Sequence, residues 1–226
     1  MTTSTTASHT EHAMPTRMPI TPATDEQATQ LLVDLVKTKS LSGAEDAAVA
    51  VFCWRAALLG FDAEIDEAGN GLAWRRAADP DAPDQKLIVL LGHIDTVPGD
   101  IPVRLEDGVL HGRGSVDAKG PLCAFLAGAS RATIPDNVSL LVCGALGEEE
   151  ESPGAHHLKR QISPDACFIG EPSGWDGVTL GYKGSVRMQA TVSRENGHSA
   201  APGDSACDYL FNWWNRVESR MGELNG

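Results

Sequence analysis

The chain predicts an α/β layer fold over residues 23–183, followed by the start of a second, α+β segment over residues 184–226. Three observations carry this reading. Strand-length apolar runs alternate with stretches of helical period along most of the chain. The run Leu87-Ile88-Val89-Leu90-Leu91 is continuously apolar, the mark of a buried strand. Unusual polar clusters also follow such strands, where α/β folds gather their sites.

The elements follow in order. From Asp25 to about Thr38, Ala28, Leu31, Leu32, Leu35 and Val36 form a helical stripe, with Asp25 and Glu26 at the positive end of the dipole. A second helix over about Ala44–Leu59 places Ala47, Val51, Trp54 and Leu58 on one face and stops at Gly60. Phe61–Ile65 and Leu72–Arg75 read as strands joined through "EAGNG", and residues 87–92 as the next strand. "VLHGRGSVDAKG" is a short strand and glycine-rich turn that feeds a helix over about Lys119–Ala132. Val138–Leu146 is a strand, Ala155–Arg160 a short helix and Ala166–Gly170 a strand. From Val186, "VRMQATVS" alternates like a half-exposed strand. Asp204–Met221 is then an amphipathic helix through Ala206, Leu210, Trp213 and Val217. One strand and one helix cannot enclose a core, so this second segment reads as incomplete.

Composition narrows the function. At 226 residues and 42% apolar content the chain can bury a sizeable core, and no stretch is apolar enough to cross a bilayer. Residues 1–22 are rich in Thr, Ser, His and Pro, lack a signal-peptide core and read as a disordered tail. The five cysteines, Cys53, Cys123, Cys143, Cys167 and Cys207, are odd in number and widely spaced, which reads as small buried hydrophobes in a reducing cytoplasm. A net charge of −13 argues against nucleic-acid binding.

Four polar clusters stand out: His93-Ile94-Asp95, Asp117, the run Glu148 to Glu151, and Glu171 before Pro172. Each has a plain alternative. His93 and Asp95 could be turn residues, Asp117 a helix cap, the glutamates a solvated loop and Glu171 part of a turn. Together they offer one imidazole and several carboxylates from successive strand ends, the donor mix that suits Zn²⁺ or a similar divalent ion. Neighbouring Glu148 and Glu149 can be aimed differently, one at a metal and one at its water.

"LLGHIDTVP", "GRGSVDAKGP", "GEEEESPGA", "GEPS" and "GYKGSVRMQATVSRENGHSAAP" occur in order along nearly all of the chain after the tail. In this the sequence resembles the zinc-dependent aminoacylase and carboxypeptidase family, M20-type, that includes acetylornithine deacetylase and succinyl-diaminopimelate desuccinylase. The resemblance implies a zinc-exopeptidase-like three-layer catalytic domain with a mixed central sheet, and an inserted lid and dimerisation domain. It implies two Zn²⁺ per complete chain, with Co²⁺ as a substitute. His93 and Glu171 would bind one metal, Asp117 would bridge both, and Glu149 would bind the second. Asp95 would orient His93, Glu148 would be the general base, and His198 would reach across a homodimer to polarise the scissile carbonyl. The register Glu149/Glu150 stays open beside Glu148/Glu149.

"GEPSGWDGVTLGYKG" looks most like the hydrolases that release lysine or ornithine from an acidic amino-group carrier protein in lysine or arginine biosynthesis. The amide joining the amino acid to the carrier's terminal glutamate would be the target. An acidic partner needs a local basic patch on so acidic a chain, with Lys183 and Arg187 as candidates. The family's further metal-binding histidine, expected after Glu171, has no counterpart here, so the chain reads as C-terminally truncated. A deacylase of small N-acyl amino acids, a dipeptidase, and an inactive fragment with a binding or dimerisation role are the competing readings.

Overall fold

The computed structural model describes residues 19–79, 81–172, 174, 176–181, 184, 188–195 and 203–225. Most of the N-terminal tail, Lys183, Arg187 and His198 therefore lie outside the described residues. The elements in order are α1 (Asp25–Lys37), α2 (Asp46–Leu58), β1 (Asp62–Ile65), β2 (Gly71–Arg75), β3 (Lys86–His93), β4 (Arg104–Glu106), β5 (Val109–His111), α3 (Lys119–Arg131), β6 (Val138–Ala145), α4 (Pro153–Gln161), β7 (Ala166–Ile169) and α5 (Ala206–Asn225).

Local chemistry sets several of these boundaries. Thr24 accepts the Gln27 N–H while the Gln27 side chain accepts the Thr24 N–H, a capping box that starts α1. Ser205 and Asp208 trade the same pair of bonds at the start of α5.

Five strands form one mixed sheet in the order β1-β2-β6-β3-β7, and β4 and β5 make a separate hairpin. Strand β3 lies at the middle of the parallel part, flanked by β6 and β7, and β2 runs antiparallel to β6. Side chains alternate between two cores, as strand geometry demands. Ala73, Ile88, Leu90, Leu140 and Val142 face α1, α2 and α3, while Leu72, Val89, Leu141 and Cys143 face Leu158 of α4. The result is three layers, with helices on both faces of a mixed sheet.

The structure corrects some expectations. On α2 the buried face is Ala48, Val49, Phe52 and Ala56, while Trp54 and Leu58 are exposed. Phe52 takes the core position, and Trp54 lies under the Arg55 guanidinium instead. Of the cysteines, Cys123 and Cys143 are buried and Cys53 half-buried, but Cys167 and Cys207 are exposed. Strand β4 carries no apolar pattern, all three of its residues being exposed.

The chain divides between Val178 and Thr179 into two compact units. In the second unit, α5 keeps Ala206, Trp213 and Val217 on its less exposed side, while Leu210, expected on the same stripe, is exposed. The strand expected from Val186 is not present among the described residues 188–193. No described strand pairs with this segment, and a lone extended segment has no ladder to hold it.

Candidate metal centre

The sheet register brings the polar clusters together. His93 ends β3 and stands level with Ala145 at the end of β6. On the other side Leu91 pairs with Ile169 of β7, so Glu171 follows two residues beyond, level with His93. Three neighbouring parallel strands thus deliver Glu171, His93 and the Glu148–Glu149 loop to one edge. Asp117 arrives from the turn before α3. That helix sits close because Gly92 and Gly144 have no Cβ: one added at either would come within 3.2 Å of Leu122.

His93 is the centre of the group and is 2% exposed. Its Nδ1 lies 3.3 Å from Asp95 Oδ1 and 3.1 Å from the Asp95 backbone oxygen, two acceptors that assign the proton to this nitrogen. Nε2 faces the other carboxylates, 3.1 Å from Asp117 Oδ1 and 3.9 Å from both Glu148 Oε2 and Glu171 Oε1. Asp117 does not cap α3 with its side chain, so its alternative reading as a helix cap is set aside.

Asp95 does more than face His93. It is fully buried and accepts the Ser42 hydroxyl at 2.7 Å, the Glu148 N–H at 3.1 Å and the Glu149 N–H at 3.1 Å. Burial alone would raise its carboxyl, but His93, Ser42 and those two N–H groups hold it down at about 2. Burial would likewise lower His93, yet the Asp95 hydrogen bond and charge, with Glu171 and Asp117, lift it to about 9. Glu149 is pushed up by burial and then by the charge of Asp117. Glu171 is pushed up by burial and, against the pull of His93, by Glu148, Asp117 and Glu149.

A divalent ion fits this set. Two groups, His93 with Glu148 and Glu171 and His93 with Asp117 and Glu149, each bring three donor atoms within 4.8 Å of one another. One nitrogen and several carboxylate oxygens suit Zn²⁺ and its neighbours. His93 belongs to both groups because its Nε2 is their common point. Glu150 and Glu151 enter no such group among the described residues. His198 lies outside them, and so do Lys183 and Arg187.

Three polar residues that sequence reading passed over also matter here. Ser42 reaches Asp95, Asn70 accepts the Leu146 N–H, and Glu45 accepts the Gly147 N–H. Locally they read as loop, turn and helix start, and nothing in their neighbourhood marks them as partners of residues far along the chain.

A layered α/β sheet with an imidazole and clustered carboxylates at its parallel edge defines an α/β protein with a candidate metal site. A family model described as Peptidase family M20/M25/M40 matches residues 89–218, and the chain belongs to that family. It is 48% identical over 204 residues to the LysW-lysine hydrolase of Deinococcus radiodurans, covering 88% of this chain and 54% of that one. It is 44% identical over 198 residues to a putative LysW-lysine/LysW-ornithine hydrolase of Thermococcus kodakarensis, with the same coverage, 88% and 54%. The chain thus spans about half the length of the curated relatives it matches. Among solved structures, the aminopeptidase PepT of Bacillus cereus shares the fold, with a TM-score of 0.53 at 20% identity over 67% of this chain and 44% of that one.

Proposed function

We propose that this chain is the metal-binding part of an amide hydrolase that releases lysine or ornithine from a carrier protein, with the α-amino group of the product as leaving group. The observation that carries the reading is the Asp95–His93 pair facing the carboxylates of Asp117, Glu148, Glu149 and Glu171. The names of the relatives supply the substrate class.

In this reading His93, Asp117, Glu149 and Glu171 hold two zinc ions, or cobalt in their place, and Asp95 fixes the ring of His93. A divalent ion bound there supplies Lewis acidity and acidifies water. Glu148, nearly half exposed, accepts a proton from the attacking water and passes it to the departing nitrogen as the C–N bond breaks. The carrier keeps a free carboxylate and the amino acid leaves as an amine. His198 is the donor to the carbonyl oxygen in this scheme, supplied across a homodimer formed through the second unit, which begins the lid. The carrier is acidic and docks on a local basic patch in the cytoplasm. No described helix is long and apolar enough to cross a membrane.

The test is parallel hydrolysis of carrier-linked lysine, carrier-linked ornithine, N-acetylornithine and a dipeptide, each with zinc or cobalt. Release from the carrier-linked substrates well above the other two supports the reading. Preference for N-acetylornithine or the dipeptide overturns the carrier assignment, and no cleavage of any substrate overturns activity for this chain.

A further inference from the structure

We propose that Glu45 and Asn70 are positioning residues of the metal centre: with Asp95 they grip the backbone of residues 146–149 and so fix where the Glu148 and Glu149 carboxylates stand. The proposed roles of those two carboxylates underlie the consequence for the centre, but the grip itself is independent of them.

Four consecutive backbone N–H groups are each accepted by a buried side chain. Leu146 donates to Asn70 Oδ1 at 3.1 Å and Gly147 to Glu45 Oε1 at 3.2 Å. Glu148 and Glu149 donate to the two oxygens of Asp95, each at 3.1 Å. The three acceptors come from separate places: the start of α2, the turn between β1 and β2, and the end of β3. All are buried, Asn70 and Asp95 completely. Loop N–H groups ordinarily turn to water, whereas this run is satisfied wholly by side chains inside the protein.

The Asn70 amide is oriented without ambiguity. Its Nδ2 donates to Asp66 Oδ2 at 2.7 Å and to the Gly154 oxygen at 3.1 Å, so a flipped amide would set oxygen against two acceptors. Asn70 thereby ties both ends of the loop, at Leu146 and at Gly154. A Cβ on Gly154 would fall 2.2 Å from Asn70 Oδ1, which accounts for the glycine in "SPGA".

A carboxamide oxygen still accepts an N–H, though more weakly than a carboxylate, so Glu45→Gln keeps the Gly147 bond while it removes the charge. That separates a positioning role from an electrostatic one. Amide hydrogen exchange at residues 146–149 and cobalt affinity by visible absorption are measured on the 226-residue chain and on Glu45→Gln, Glu45→Met and Asn70→Ala. Glu45→Gln is expected to keep both within about twofold. Glu45→Met and Asn70→Ala are expected to exchange at least about tenfold faster at Gly147 and Leu146 and to bind cobalt about 10- to 100-fold more weakly, with an altered spectrum. Wild-type cobalt affinity and spectrum in both of those variants would overturn the proposal, as would a Glu45→Gln that behaves like Glu45→Met. Should Asn70→Ala fail to fold, the two Glu45 variants decide alone. A wild type that holds cobalt but cleaves no amide defeats the functional reading and leaves this proposal standing. A wild type that holds no cobalt overturns it.

Discussion

Asp95 faces His93 with the same carboxylate that receives the Glu149 N–H, so one buried group sets both an imidazole and the loop beside it. Its two oxygens serve four donors: the imidazole, the Ser42 hydroxyl and the N–H groups of Glu148 and Glu149. Loss of Asp95 must then be felt in two places.

Asp95→Asn keeps the shape but removes the charge and gives one oxygen a donor's role. Zinc affinity, measured by chelator competition, is expected to fall about 10- to 100-fold. Asp95→Ala also strands buried donors, and thermal unfolding is expected to show a loss of about 2–4 kcal/mol. Equal zinc affinity in wild type and Asp95→Asn would refute the orienting role.

The raised pKa of His93 makes metal binding pH-dependent with a definite sign. Folded His93 titrates at about 9 and unfolded histidine near 6.5, so the metal-free chain gains stability from this proton below about pH 6.5 and loses it as pH rises towards 9. Lys119, pushed down to about 8 by burial, relieves its own penalty only above about pH 8. The Tm of metal-free protein is therefore expected to fall between about pH 6.5 and 8. Zinc must displace the His93 proton over the same range, so calorimetry in two buffers is expected to show about one proton released from it per first ion, and affinity should rise with pH. A Tm that climbs with pH in that window contradicts this.

Glu148→Gln separates chemistry from structure. The loop is held through its backbone N–H groups, so this change leaves the grip intact. Bound zinc and Tm are expected to stay near wild type while kcat falls about 10²- to 10⁴-fold on carrier-linked lysine. Near-wild-type kcat with metal bound would remove Glu148 from the role of base.

Lys119 is 1% exposed, and its ammonium donates to the Leu35 oxygen at 2.9 Å and the Thr38 oxygen at 2.8 Å, closing the C-terminal end of α1. Lys119→Met removes both donors and leaves two carbonyls inside. A loss of about 1–3 kcal/mol is expected in denaturant unfolding. An unchanged midpoint would show that water reaches those carbonyls.

Period and polarity made the α/β architecture legible, because strand and helix patterns are local. The metal-site residues were legible for a related reason: strand ends in an α/β sheet converge, which gathers His93, Glu148, Glu149 and Glu171 at one edge, while Asp117 joins them from the turn before α3. Glu45, Asn70 and Lys119 were not. Each meets its partner 76 to 102 residues away, and locally each looks like a helix start or a turn. The face of α2 was misjudged because Trp54 and Phe52 are both large and aromatic, and only tertiary packing decides which is buried. Strand β4 is held by its pairing with β5, a relation its own composition does not announce.

The grip on residues 146–149 leaves the side chains of Glu148 and Glu149 out of the holding bonds. Selection can therefore rewrite what this loop presents without unseating it, whereas proline at any of the four positions would delete a bond and is barred. Variation in reactivity and constancy of shape are thus assigned to different atoms of the same residues, which lets one scaffold diversify its chemistry while its frame stays put.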